Sequence, residues 1–161
     1  MRTRTNIQSY GVTLSEAKNY ARIEVTDDDT LVSALITASY EQVTAECNRD
    51  FTACTWSFNT WSGSGDIFVS TQEVNTINTG SLKYWNGSWY TYIENFYSGP
   101  IVYTVASGST IPSNVKTAQL MLISHWYDNR QPQVIGASST PLDFTVNALL
   151  NPYKLIMPGG I

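Results

Sequence analysis

The sequence predicts an α+β fold in which a helical scaffold is interrupted by a small antiparallel β insert. Apolar residues recur at helical spacing before residue 50 and after residue 111, and between these stretches they alternate as in strands. The dipeptide Asn86-Gly87, which suits a type I′ turn, joins two aromatic segments as a hairpin. We therefore expect one domain over residues 1–161, with helices over 13–50, the β insert over 51–107, helices over 111–153 and a tail over 154–161.

The first two helices are predicted from their start signals. Thr13 and Glu16 have the T-x-x-E spacing of a capping box, in which each side chain satisfies a free backbone N–H of the first turn. Asp27, Asp28 and Asp29 precede a longer apolar pattern, where carboxylates meet the positive end of a helix dipole. Three aspartates could also ligate a metal, but we interpret them as a helix start.

The second helix has a broad apolar face. Two adjacent stripes form it, one with Leu31, Leu35, Ala38 and Gln42 and the other with Val32, Ile36, Val43 and Cys47. A face this wide predicts that the helix packs against more than one neighbour.

The β insert is rich in aromatic residues, which crowd its hairpin over 82–97: Trp85, Trp89, Tyr90, Tyr92, Phe96 and Tyr97. Exposed aromatic rings on a sheet can stack on sugars or on unpaired bases. Aromatic residues also form the core of small sheets and of subunit interfaces. A tail-associated carbohydrate- or protein-binding module that uses the hairpin over 82–97 is therefore an alternative function.

Composition excludes several classes of protein. Nine basic residues face thirteen acidic ones, and no basic patch is present that would grip nucleic acid through its phosphates. No apolar run approaches the roughly twenty residues of a membrane span. The start, MRTRTNIQSY, lacks the apolar segment of a signal peptide, so we expect synthesis in the cytoplasm. Cys47 and Cys54 form no CxxC pair, and we expect neither a metal nor a cofactor.

The only histidine, His125, lies in the segment LISHWYDNRQ. As a general base it would need an orienting acid and a nucleophile. Asp128 could share its helix face, but the sequence has no GxSxG nucleophile elbow, phosphate-binding loop or GxGxxG turn. We therefore predict that the protein is not an enzyme.

Most of the chain resembles the head-tail connector proteins of long-tailed double-stranded DNA bacteriophages. The stretch TLSEAKNYARIEVTDDDTLVSALITASYEQVTAECNRDF is similar to the family's short helix, Asp-Asp step and long helix. IPSNVKTAQLMLISHWYDNRQPQVIG resembles its HWYxNR helix, and PLDFTVNALLNPYK resembles its closing segment. The likeness is loose across the β insert. The chain also departs from the family at Asn48, where a glycine is common.

The resemblance implies a structural role for the HWYxNR motif, which is carried by His125, Trp126, Tyr127, Asn129 and Arg130. Trp126 would pack under the long second helix. Arg130 would lie at the end of its own helix, where a cation meets free carbonyl groups and the negative end of the dipole.

The resemblance also implies a function and a location. The protein would be a head completion or adaptor protein of the virion, at the head-tail junction. Copies would form a ring of roughly twelve subunits between the portal protein and a tail or neck protein. DNA would pass through the ring without specific contacts, and no membrane would be involved.

Two sets of candidate contact residues follow from this reading. For intersubunit packing they are Leu31, Leu35, Ile36 and Val43. The C-terminal segment of the chain would dock onto the portal or a neighbouring subunit through Tyr153, Lys154, Leu155, Ile156 and Met157.

Overall fold

The computed structural model describes residues 2–59, 65–70, 74–77, 81–84, 91–96, 100–105, 111–129 and 140–154, with side chains over 3–57, 101–105, 111–129 and 144–154. The helices are α1 (Leu14–Ala21), α2 (Asp29–Cys47), α3 (Ser113–Asp128) and α4 (Thr140–Leu150), followed by a 3₁₀ turn, η1 (Asn151–Tyr153). The strands are β1 (Arg2–Thr5), β2 (Cys54–Asn59), β3 (Gly65–Ser70), β4 (Val74–Ile77), β5 (Ser81–Tyr84), β6 (Thr91–Phe96) and β7 (Pro100–Val105). The predicted α+β class is confirmed.

The chain divides into two compact units. The helical unit comprises Tyr10–Asn48 and Ile111–Lys154, and the β unit contains the described residues of Met1–Ser9 and Arg49–Thr110. The expectation of a single domain stays a prediction.

The β unit holds two antiparallel sheets, with strand orders β1-β2-β7-β4 and β3-β6-β5. The strands of the predicted hairpin do pair, since β5 lies antiparallel to β6 with Tyr84 opposite Thr91. A two-residue turn at Asn86-Gly87 would instead place Tyr84 opposite Trp89, so this register does not match the predicted type I′ turn. Its turn at 85–90 lies outside the described residues. The core of the first sheet includes Cys54, Ile101, Tyr103 and Val105, which alternate along β2 and β7.

Strand β1 was not predicted, because its sequence, RTRT, has no apolar alternation. It pairs with β2, which places Arg4 opposite Trp56. The Arg4 guanidinium donates to Asp50 Oδ1 at 2.8 Å and lies 5.6 Å from the centre of the Trp56 ring. Trp56 Nε1 donates to the second oxygen of the same buried carboxylate at 2.7 Å. Tertiary contacts, not local propensity, therefore hold this edge strand.

The helix starts agree with the sequence only in part. Thr13 caps α1 in a capping box, since its N–H donates to Glu16 Oε2 at 2.9 Å and the Glu16 N–H donates to Thr13 Oγ1 at 3.3 Å. Asp28 is the N-cap of α2, but its side chain makes no cap hydrogen bond. Its carboxylate accepts instead from Tyr127 Oη at 2.6 Å, so it serves a tertiary contact.

The end of α2 has the conformation that glycine would favour. Asn48 has φ 52° and ψ 31°, and its backbone N–H donates to the carbonyl oxygen of Ala45 at 3.3 Å. Asparagine is one of the few residues that enters this left-handed region at low cost. The departure from glycine at this position therefore leaves a left-handed helix exit.

Candidate assembly surface

One stripe of α2 forms the core of the helical unit. Val32, Ile36, Val43 and Cys47 are at most 6% exposed, and Tyr40 between them is fully buried. Val32 and Ile36 belong to a cluster that also contains Ala17 of α1 and Ile123 of α3. Two of the four residues predicted for intersubunit packing, Ile36 and Val43, thus lie inside the chain's own core.

A second apolar stripe of α2 is incompletely covered. It consists of Leu31, Ala34, Leu35 and Ala38, at the i, i+3, i+4, i+7 spacing of one helix face. Leu31 and Leu35 are half-buried, whereas both alanines are exposed. We call these four residues the outer stripe. The other two residues predicted for intersubunit packing, Leu31 and Leu35, belong to it.

Two hydroxyl groups beside the outer stripe donate hydrogen bonds to the backbone of α2 itself. Ser33 Oγ donates to the carbonyl oxygen of Asp29 at 2.8 Å, and Thr37 Oγ1 donates to that of Ser33 at 3.2 Å. A hydroxyl group that donates to a carbonyl oxygen of its own helix has no hydrogen left to donate to another partner. Ser33 and Thr37 therefore add neither charge nor a free hydroxyl donor beside the outer stripe.

The HWYDN segment forms the end of α3 and contacts the start of α2. The Asn129 side chain donates to the carbonyl oxygen of His125 at 2.9 Å and lies 3.2 Å from His125 Nδ1. Tyr127 reaches across to Asp28, and Trp126 is half-buried. Arg130 lies outside the described residues. The arrangement is a helix end bonded to a neighbouring helix start, which fits a structural use of the motif.

Ion pairs link the helices around this core. Lys116 of α3 donates to Glu16 of α1 at 2.6 Å, and Lys18 of α1 donates to Asp29 of α2 at 2.5 Å. The Lys116 ammonium, together with the hydrogen bonds from Thr13, lowers the pKa of Glu16 to about 2. These contacts place the start of α2, and with it the outer stripe, in a defined position relative to α1 and α3.

A buried amide joins α3 to the segment before α1. Gln119 is fully buried, and its Nε2 donates to the carbonyl oxygen of Tyr10 at 2.9 Å. Gly11 follows with φ +86°, and a Cβ at this position would lie 2.5 Å from Gln119 Oε1. Only glycine fits between these groups, a requirement that sequence spacing did not indicate.

The predicted docking tail is anchored at its start. Tyr153 and Lys154 are half-buried. The Lys154 ammonium forms an ion pair with Glu46 of α2 and donates to Asn147 Oδ1 of α4 at 3.0 Å. Leu155, Ile156 and Met157 lie outside the described residues. The role of the tail stays a prediction.

The remaining candidate sites receive no support from the described part of the chain. The side chains of the hairpin aromatics lie outside the described residues, so the sugar-platform alternative stays a prediction. Among the residues that the structure describes, no cluster of three or more His, Cys, Asp or Glu side chains could hold a metal ion. None of the described helices combines the length and the hydropathy of a membrane span.

Comparisons with known proteins agree with this picture. The solved structures similar to the chain include "Virion of native gene transfer agent (GTA) particle", with a TM-score of 0.67 at 15% identity. They also include "Neck of empty GTA particle computed with C6 symmetry", at 0.66 and 14%, and "Neck of native GTA particle computed with C12 symmetry", at 0.57 and 16%.

Each of these similarities covers 99% of this chain and 98% of the other. At such low identities they show a shared fold. No curated protein sequence matches significantly. The family described as "Phage gp6-like head-tail connector protein" matches residues 12–154, which is most of the chain. The chain therefore belongs to the phage gp6-like head-tail connector family.

Proposed function

We propose that this protein is a structural virion protein that forms a ring at the head-tail junction, bridges the portal and the tail, and continues the DNA channel. The observation that carries the proposal is the family match over residues 12–154. The symmetric necks among the similar structures support a ring with cyclic symmetry. The role is mechanical, and the proposal includes no enzymatic step.

The charge distribution supports a channel through which DNA slides. The helical unit carries nine acidic and five basic residues, while the rest of the chain carries four of each, so the whole net charge of −4 lies in the helical unit. All three lysines of this unit, Lys18, Lys116 and Lys154, are paired with carboxylates of the same chain. A wall with this net negative charge and with its lysines paired would attract the phosphates less than a basic wall.

Within the ring, the outer stripe of α2 contributes to the contact between subunits. Leu31 and Leu35 keep apolar surface open to solvent, and no charged residue interrupts the stripe. Interfaces between subunits are depleted of charge at their centre and bury such surface. Ile36 and Val43 act indirectly, because they hold α2 in place from inside.

The C-terminal segment, residues 153–157, would dock in a groove of the portal or of a neighbouring subunit. The Lys154 contacts with Glu46 and Asn147 support this, since they fix the point from which the apolar residues Leu155, Ile156 and Met157 continue. A variant that ends at Lys154 retains the anchor and loses the docking segment. Full occupancy of portals by that variant would contradict the docking role.

The test of the proposed function is assembly on isolated portal rings, followed by negative-stain electron microscopy. A second ring stacked coaxially on the portal is expected, and its symmetry gives the number of subunits. Leu31→Ser should reduce the fraction of capped portals, whereas Ala45→Ser, an exposed change on the same helix, should not. Bare portals beside free monomers at concentrations well above micromolar would contradict the proposal.

A further inference from the structure

Helix α4 is apolar on two sides. Val146 and Leu150 are 8% and 1% exposed and face the core of the helical unit. On another side, Phe144 is 76% exposed, and Ala148 of α4 and Pro152 of the following η1 turn come at intervals of four residues and are also exposed. We call Phe144, Ala148 and Pro152 the α4 stripe. A helix that is apolar on more than one side is normally covered on more than one side.

We propose that the α4 stripe of one copy docks on the outer stripe of α2 in the next copy of the same ring. This inference rests on the proposed function and names the two surfaces that the ring contact joins. Phe144 is its anchor, since exposed aromatic side chains are enriched among the residues that dominate subunit interfaces.

The two stripes are complementary in shape. Phe144 projects from α4 as a large side chain, whereas the outer stripe places Ala34 and Ala38 between the half-buried Leu31 and Leu35. Alanines let an aromatic ring approach the backbone of α2, and the leucines border it with apolar surface. The hydroxyl groups of Ser33 and Thr37 are engaged with their own helix, so the contact leaves neither of these donors without a partner.

The two stripes also lie at different places in the helical unit, as a ring requires. Cyclic rings join two different patches of the same chain. The contact of Cys47 Sγ with the Leu150 carbonyl oxygen and the Lys154–Glu46 pair attach the end of α4 to the C-terminal end of α2. Ala34 lies about 20 Å from Cys47 along the helix at 1.5 Å per residue. The start of the outer stripe is therefore remote from the point where the end of α4 is attached.

The first test is cross-linking between the two stripes. Ala148→Cys in the α4 stripe and Ala34→Cys in the outer stripe, which leave the anchor Phe144 in place, are combined in one chain, assembled on portal rings and treated with a short bismaleimide. The native Cys47 and Cys54 are buried, so the wild-type chain is the control for their reactivity. The double variant should give a ladder of oligomers up to the ring number. A mixture of the two single variants should give nothing larger than a dimer.

The second test measures the energetic role of Phe144. Phe144→Ser should raise the concentration needed for half-maximal ring formation about tenfold or more, as expected of an interface anchor. Its unfolding temperature should stay unchanged, because the side chain packs little in the monomer. The matched control is Tyr20→Ser on α1, since Tyr20 is an exposed aromatic residue of the same unit (47%). This control should assemble like wild type.

The outcomes separate the inference from the proposed function. Rings on portals without a cross-linked ladder, or rings unaffected by Phe144→Ser, overturn the inference and leave the ring intact. Cross-linking of Ala148→Cys to a cysteine of the portal protein, shown by mass spectrometry, overturns it in favour of that occupant. Absence of rings from every sample, wild type included, overturns the proposed function and the inference with it.

Discussion

Replacement of Gly11 by alanine tests whether the buried contact with α3 determines the stability of the helical unit. Gly11 has φ +86°, a conformation that costs an L-residue about 1–2 kcal/mol. The new Cβ would also lie 2.5 Å from Gln119 Oε1 and 2.8 Å from Ile111 Cδ1. Gln119 is fully buried and bonded to Tyr10, so its side chain cannot swing away freely. Overpacking of this kind costs about 1–3 kcal/mol.

Together these two effects should lower the free energy of unfolding by about 3 kcal/mol, a value inside the combined range of the two costs. For a chain of this size that corresponds to a fall in Tm of about 6–12 °C. The assay is urea and thermal unfolding followed by far-UV circular dichroism. In a Gln119→Ala background the clashing oxygen is absent and only the contact with Ile111 Cδ1 remains, so Gly11→Ala should cost clearly less than in wild type. Equal costs in both backgrounds, or a cost below about 0.5 kcal/mol in wild type, would refute the reasoning.

Three further predictions concern the ends and starts of the helices. Tyr127→Phe removes the 2.6 Å hydrogen bond to Asp28 and should lower the free energy of unfolding by about 1.5–3 kcal/mol. A double-mutant cycle with Asp28→Ala measures the coupling, and additive costs of the two changes would contradict a direct bond. The pKa of Glu16 is depressed to about 2, so its stabilisation is present above its unfolded pKa, near 4.5, and is lost as pH falls from there towards 2. Because the side chains of Lys116 and Glu16 are 35% and 42% exposed, this pH-dependent stabilisation should be less than about 1 kcal/mol. Unfolding curves at several pH values measure it, and it should be absent in Glu16→Gln. Asn48→Ala should cost about 1 kcal/mol at its φ of 52°, whereas Asn48→Gly should leave the urea midpoint unchanged or raise it; a neutral alanine would show that the helix exit is not constrained.

Local sequence signals determined the elements that depend on neighbours in the chain. The capping box at Thr13 and Glu16 requires groups three residues apart, and the structure has both of its hydrogen bonds. The alternation over 51–107 likewise placed β2 and β7. Strand β1 could not be found this way, because Arg4 is held by Asp50 and Trp56, and both of these partners are distant from it in sequence.

For the assembly surface, the sequence determined that α2 has apolar residues over a broad face, and the family resemblance indicated a connector. Helical periodicity places Leu31, Leu35, Ile36 and Val43 close together on that face. It does not indicate which stripe of the face the other helices of the chain cover. Only the tertiary structure decided this, because the fold buries Ile36, which packs with residues of α1 and α3, and also Val43, and leaves Leu31 and Leu35 half-buried. The same holds for Phe144: the sequence does not indicate which side of α4 is covered, and the structure buries Val146 and Leu150 and leaves Phe144 76% exposed.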